Sequence, residues 1–152
     1  MFLMTSTSDE YKTSWKSRST KTEKPWGYEL HWAALGQVHG KCLYIKGGEK
    51  TSLKYFLRKD EVLFLRKGRA LIIHGDEYSI RLPELYPMRK TLLEPGESMC
   101  IQQGCPYRII ALDDCEIFEI GNNGDQPLVR VEDDYGRVVK DDNSLENDST
   151  TD

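Results

Sequence analysis

The stretch Gly48 to Gly68, GEKTSLKYFLRKDEVLFLRKG, concentrates the side chains of this chain best suited to polar chemistry. Strand alternation across Ser52-Leu53-Lys54-Tyr55-Phe56 puts Ser52, Lys54 and Phe56 on one face, an ammonium beside a hydroxyl and a phenyl ring. Glu61 opens the next apolar run. A lysine held in low dielectric can act as base or nucleophile, and a desolvated carboxylate can accept a proton. Other candidates are weaker. His31 and His74 fall on expected strands and His39 in an expected turn, and none has a partner at ligand spacing. Cys100 and Cys105 flank a turn and read as small apolar fillers. Gly36-Gln37-Val38-His39-Gly40-Lys41-Cys42 has the outline of a phosphate-binding loop, but it is one residue short, ends in Cys and precedes no helix, so it is rejected.

The elements that must position these residues are short. Tyr28 to Trp32, Lys41 to Ile45, Ser52 to Leu57, Glu61 to Arg66 and Ala70 to His74 read as strands. Arg89 to Leu93, Ser98 to Gln102, Tyr107 to Leu112, Glu116 to Ile120 and Leu128 to Glu132 follow. Turn chemistry separates them at Gly47-Gly48, Lys67-Gly68, Gly75-Asp76, Pro95-Gly96, Asp113-Asp114 and Asn122-Asn123-Gly124. No amphipathic helix of three turns is present, so the spacing predicts an all-β antiparallel sandwich or barrel. Residues 1–23, rich in Ser, Thr and Lys, read as a mobile arm, and residues 138–152 as a disordered acidic tail.

Composition bounds the function. The chain has 152 residues, 38% of them hydrophobic and 30% charged, enough for one domain with a modest core. A net charge of -4 argues against a dedicated nucleic-acid binder. Arg58-Lys59, Arg66-Lys67-Arg69 and Arg89-Lys90 read as solvated turns. No apolar run is long enough to span a bilayer, and Met1 to Met4 is too short for a secretory core. The four cysteines lack paired spacing, which argues against structural zinc and fits reduced cytosolic thiols. The expected location is cytoplasmic.

Two spaced patterns carry a resemblance. Gly48, five residues, Lys54-Tyr55-Phe56, four residues, Glu61, six residues and Gly68 resemble the first motif of the cupin superfamily, glycine, His-x-His, Glu, glycine. Gly96, five residues, Gln102-Gln103-Gly104, two residues, Tyr107, three residues and Ala111 resemble the second, in which a third histidine stands at the Tyr107 position. Lys24-Pro25-Trp26-Gly27-Tyr28-Glu29 and Val129 to Arg137 are similar to the ends of cupins related to mannose-6-phosphate isomerase. The resemblance covers residues 24–137 and implies a jelly-roll barrel, a homodimer and an association with sugar phosphates or nucleotide sugars.

The departures decide the chemistry. The family's metal is held by three histidines and a glutamate. Here those places fall to Lys54, Phe56 and Tyr107, with only Glu61 matching, so no metal and no cofactor are expected. If Lys54 and Glu61 both point inward, the ammonium replaces the metal cation and neutralises the carboxylate, with Tyr107 hydrogen-bonded to either. Such a cluster is either a buried ion pair that stabilises the barrel or a polar pocket for an anionic or hydroxyl-rich ligand. The ligand-binding candidates are Lys54, Glu61, Tyr107, Ser52 and Gln102. The sequence therefore leads first to a metal-independent cupin that binds a sugar phosphate, nucleotide sugar or similar small polar metabolite. One alternative is a metal-free isomerase or epimerase using Tyr107 as acid and Glu61 as base. The other is an interaction protein built on a rigid dimeric core. Self-association is expected through the outward positions Leu53, Tyr55, Val62 and Phe64, with no nucleic-acid or membrane partner.

Overall fold

The computed structural model describes residues 11–122 and 127–136. Within them the chain forms eleven antiparallel strands and no helix. They are β1 (Thr20–Lys24), β2 (Gly27–Leu35), β3 (Val38–Ile45), β4 (Leu53–Phe56), β5 (Glu61–Lys67) and β6 (Ala70–His74), then β7 (Arg89–Leu93), β8 (Ser98–Ile101), β9 (Tyr107–Ala111), β10 (Cys115–Asn122) and β11 (Leu128–Glu132). All ten sequence-predicted strands appear within a few residues. The eleventh, β1, lies in the segment read as a mobile arm, so the sheet begins at Thr20. The expected acidic tail, the first ten residues, Asn123-Gly124 and Arg137 lie outside the described residues.

The strands make two sheets, one ordered β1-β2-β3-β10-β5-β8 and the other β11-β4-β9-β6-β7. Alternation on each strand turns one set of side chains inward. Leu43, Ile45, Leu63, Leu65 and Ile117 from the first sheet meet Ala70, Ile72, Ile109 and Ala111 from the second, closed off by Trp26. Each fully buried Leu or Ile contributes about 1.5–3 kcal/mol relative to exposure, so this apolar half of the barrel interior binds the sheets together. The other half is polar, and it holds the site described below.

The expected dimer face is not one face. Leu53 and Tyr55 lie on β4 and Val62 and Phe64 on β5, which belong to different sheets. Tyr55 is also buried, lining a cavity with Tyr78, Ile80 and Arg81 from the β6–β7 connection. Outward phase on a strand does not ensure exposure when a long connection folds over the sheet.

Gly27 sets the approach of β2 to β3. Its φ of 154° is paired with a Cβ position only 1.8 Å from the Tyr44 carbonyl oxygen, so no side chain fits there. Gly36, at φ 60° in the β2–β3 turn, has open space around it. Gly27→Ala is therefore expected to cost more than about 3 kcal/mol, and Gly36→Asn less than about 1 kcal/mol. Urea denaturation of the two variants checks the difference, and equal losses would contradict this packing.

Candidate functional site

Register places four polar residues side by side across the second sheet. Arg130 pairs with Lys54, Lys54 with Tyr107, and Tyr107 with His74, and all four are buried. The first sheet answers with Glu29 on β2, Lys41 on β3, Glu61 on β5 and Glu119 on β10, also buried. Glu119 and Lys41 are register partners, at positions in phase with Ile117 and Leu43. Lys59, from the short β4–β5 connection, turns inward to join them.

These groups form a continuous chain of opposite charges. Lys24 lies 3.7 Å from Glu29 Oε1, and Lys41 donates to Glu29 Oε2 at 2.8 Å. His31 Nε2 reaches Glu29 Oε1 at 3.0 Å. Lys41 also lies 3.8 Å from Glu119 Oε2. Lys59 Nζ is 3.5 Å from both Glu119 Oε2 and Glu61 Oε2, with the Phe56 ring beneath it at 4.5 Å. Tyr107 donates its hydroxyl hydrogen to Glu61 Oε1 at 3.1 Å. Lys54 Nζ sits 4.4 Å from the centre of the Tyr107 ring and donates to the Ser52 carbonyl at 3.4 Å.

Burial makes the two central carboxyls unlike each other. Removal from water pushes Glu61 up to about 8, helped by the Glu119 charge, and Lys59 offsets only part of this. Burial would raise Glu119 too, but Lys41 and Lys59 pull it down to about 2. The pair thus holds one proton at neutral pH, on Glu61. That proton explains Glu61 Oε2, which as a carboxylate oxygen would meet no donor in hydrogen-bond geometry. As an acid, Glu61 keeps this proton and donates a hydrogen bond through it to the ionised Glu119. Lys41 is raised; burial alone would lower it, and Glu119 and Glu29 reverse that. His39, lowered by burial and by Lys59, is held neutral at the rim.

The structure brings Lys54, Glu61, Tyr107 and Ser52 into one buried neighbourhood, but with a different pairing from the expected one. The ammonium at ion-pair distance from Glu61 is Lys59, and Lys54 stacks on Tyr107 instead. Lys59, read from sequence as part of a solvated turn, is fully buried. Gln102 stands apart: it is exposed and lines a cavity of about 210 Å3 with His74, Arg89, Cys100 and Cys105. Arg108, in the opposite strand phase to Tyr107, is covered, donating to the Thr51 carbonyl and reaching Glu132 and Asp134. Sequence reasoning missed Lys41 and Glu119, although each is a charge on the apolar phase of its strand. Nothing in the local pattern marked Lys59.

The donor set does not fit a divalent metal. Among the described residues no group of three His, Cys, Asp or Glu side chains is placed to hold one. An ammonium already lies between the two central carboxyls, and the Phe56 ring beneath it offers no ligand atom.

The architecture has known counterparts. KdgF from Halomonas sp. superposes with a TM-score of 0.57 at 13% identity, over 68% of this chain and 86% of that one. A variant of oxalate decarboxylase from Bacillus subtilis gives 0.60 at 16%, over 70% of this chain and 28% of that one. The capsular polysaccharide assembling protein CapF from Staphylococcus aureus gives 0.55 at 13%, over 70% and 29%. The fold is the cupin jelly roll. No family model and no curated protein sequence matches this chain. At these identities the cupin likeness concerns fold, not activity. No described helix is long and apolar enough to cross a membrane.

Two outcomes follow from the cluster. A raised carboxyl stabilises the fold fully below its unfolded value near 4.5, and that contribution is lost as pH rises through about 8. A lowered carboxyl does the reverse, so Glu119 loses its contribution only as pH falls toward about 2. Thermal melts from pH 4.5 to 8.5 should therefore show falling stability in the native protein and a flatter profile in Glu61→Gln; parallel profiles would refute the shared proton. Separately, Lys59→Met leaves a buried carboxylate without its cation and should cost about 3–5 kcal/mol. Adding Glu119→Gln should recover part of that loss, as read by urea unfolding.

Proposed function

We propose that this is a metal-independent cupin-fold protein that encloses a small anionic or hydroxyl-rich metabolite, of the sugar-phosphate or nucleotide-sugar class, at the polar end of its barrel. The observation that carries this reading is the Ser52 hydroxyl. It is fully buried, has no hydrogen-bond partner among the described residues, and shares a strand face with Lys54. An orphaned buried hydroxyl costs about 1–3 kcal/mol, and a ligand oxygen received by Ser52 and Lys54 would relieve that cost. Glu61 and Tyr107 then supply a proton donor and a hydrogen-bonded hydroxyl to ligand oxygens. CapF, a capsular polysaccharide assembling protein, is compatible with carbohydrate chemistry in this fold, and it is support by analogy only.

A second reading, a rigid non-catalytic core, is favoured by closure. Lys54, Glu61 and Tyr107 are each no more than 3% exposed, and Phe56 fills the interior beside Lys59. Ser52→Ala separates the two readings. Thermal shift with a panel of sugar phosphates and nucleotide sugars should raise Tm by about 5–10 °C near 100-fold over Kd, and Ser52→Ala and Lys54→Ala should abolish the shift. If no compound moves Tm and Ser52→Ala simply stabilises the protein, the rigid-core reading stands instead. Turnover of a panel compound that is lost in Tyr107→Phe and Glu61→Gln would make the protein an isomerase or epimerase.

A further inference from the structure

Two surfaces far from the barrel interior are both unusually apolar and opposite in charge. The first is the arm ahead of β1. Residues 11–19, YKTSWKSRS, run into the edge strand of the six-stranded sheet, and every one is exposed. Tyr11 is 80% exposed and Trp15 62%. Strand-like alternation would put Tyr11, Thr13 and Trp15 on one face, with Lys12, Lys16 and Arg18 on the other. The segment contains no carboxylate.

The second surface is the connection between β6 and β7, residues 75–88. Tyr86 N donates to the Leu82 carbonyl, and Leu82 N to that of Tyr78, so successive turns present Tyr78, Leu82 and Tyr86 at four-residue spacing. The Tyr78 and Tyr86 rings lie 5.3 Å apart in a tilted pair. Leu85 beside them is 73% exposed. Asp76, Glu77 and Glu84 surround this ridge, against a single Arg81 within it. Asp76 is engaged by Arg89 at 2.8 Å, which leaves Glu77 and Glu84 as the ridge's outward acids. A preformed apolar ridge with an acidic rim matches an aromatic, basic strand in both shape class and charge. The arm does not lie on its own ridge, since its aromatic residues are exposed.

We propose that the arm of one copy docks on the Tyr78–Tyr86 ridge of a second copy, giving a dimer joined by exchanged arms. Trp15 and Tyr11 pack against Leu82, Leu85 and the tyrosine pair, while Lys16 and Arg18, on the arm's opposite face, bend their long side chains round its edges to Glu77 and Glu84 on the rim. This assigns self-association to surfaces other than the outward β4 and β5 positions, and it does not depend on what the barrel interior binds. The outer face of the six-stranded sheet, around Phe64, Phe118 and Ile120, is the competing surface, but its in-phase carboxylate, Glu116, is already engaged by Arg66 at 3.2 Å.

Sedimentation velocity on the full chain tests this. A dimer is expected at about 50 mM salt, weakening by tenfold or more in Kd at about 500 mM as rim charges are screened. Trp15→Ser, Leu85→Asp and the pair Lys16→Glu/Arg18→Glu should each give monomers with unchanged thermal melts. The decisive arm mixes Lys16→Glu/Arg18→Glu with Glu77→Lys/Glu84→Lys. Each variant alone should be monomeric, because both of its arm–ridge contacts join like charges, and the mixture should form a heterodimer in which both contacts join opposite charges. A monomer at every concentration would overturn the proposal and assign the arm to a different occupant. A dimer that survives the arm and ridge substitutions but is lost in Phe64→Asp would also overturn it, placing the contact on the six-stranded sheet.

Discussion

Lys59 lies between Glu61 and Glu119, and the polar half of the barrel is organised around that contact. Two carboxyl groups facing each other in a dry interior cannot both ionise without a cation between them. A loop lysine supplies the charge, Lys41 supplies a second from β3, and one carboxyl keeps its proton. The remaining partners follow from this division. Tyr107 donates to the protonated carboxyl, Lys54 rests on the Tyr107 ring, and Glu29 balances Lys41. The arrangement holds the two sheets at this end by opposite charge, as Leu43, Ile72, Ile109 and their neighbours hold them at the other by apolar contact.

Such a cluster is a weak source of net stability, because burying ions costs nearly as much as pairing them returns. Its consequence is specificity of structure. Each charge has a defined partner, so removing any one strands another, and the register of β3, β5, β9 and β10 is fixed by more than hydrophobic phase. The same feature keeps chemistry available. A neutral carboxyl, a phenol and an ammonium in one low-dielectric neighbourhood can bind and polarise an oxygen-rich ligand without a metal ion. The cupin fold by itself decides none of this, since proteins as unlike as oxalate decarboxylase and a capsular polysaccharide assembling protein share it.

Much of the fold was legible in the sequence because its signals are local. Alternation and turn residues located ten strands, and the spacing of Gly48, Glu61 and Gly68 with Gly96 and Tyr107 led to the jelly roll. Lys54, Glu61, Tyr107 and Ser52 do come together at the polar end. What sequence could not give is the pairing. Lys54 and Lys59 are both near Glu61 along the chain, and only the inward turn of the β4–β5 connection selects Lys59. Lys41 and Glu119 were marked by charge on an apolar strand phase, a signal readable only once each strand's inner face is known. Gln102 stands apart from the cluster for a related reason: it lies just past β8, where strand alternation no longer governs which way a side chain faces. The burial of Tyr55 depended on a connection from elsewhere in the chain, which no alternation rule reports.

That an ammonium, rather than a metal ion, neutralises the buried carboxyls of the barrel is tested most directly by elemental analysis of protein purified from metal-replete medium without chelators. The account leads to far less than one equivalent of zinc, iron, manganese or nickel per chain. One equivalent of any of them, retained through dialysis and released only when the protein unfolds, would contradict it.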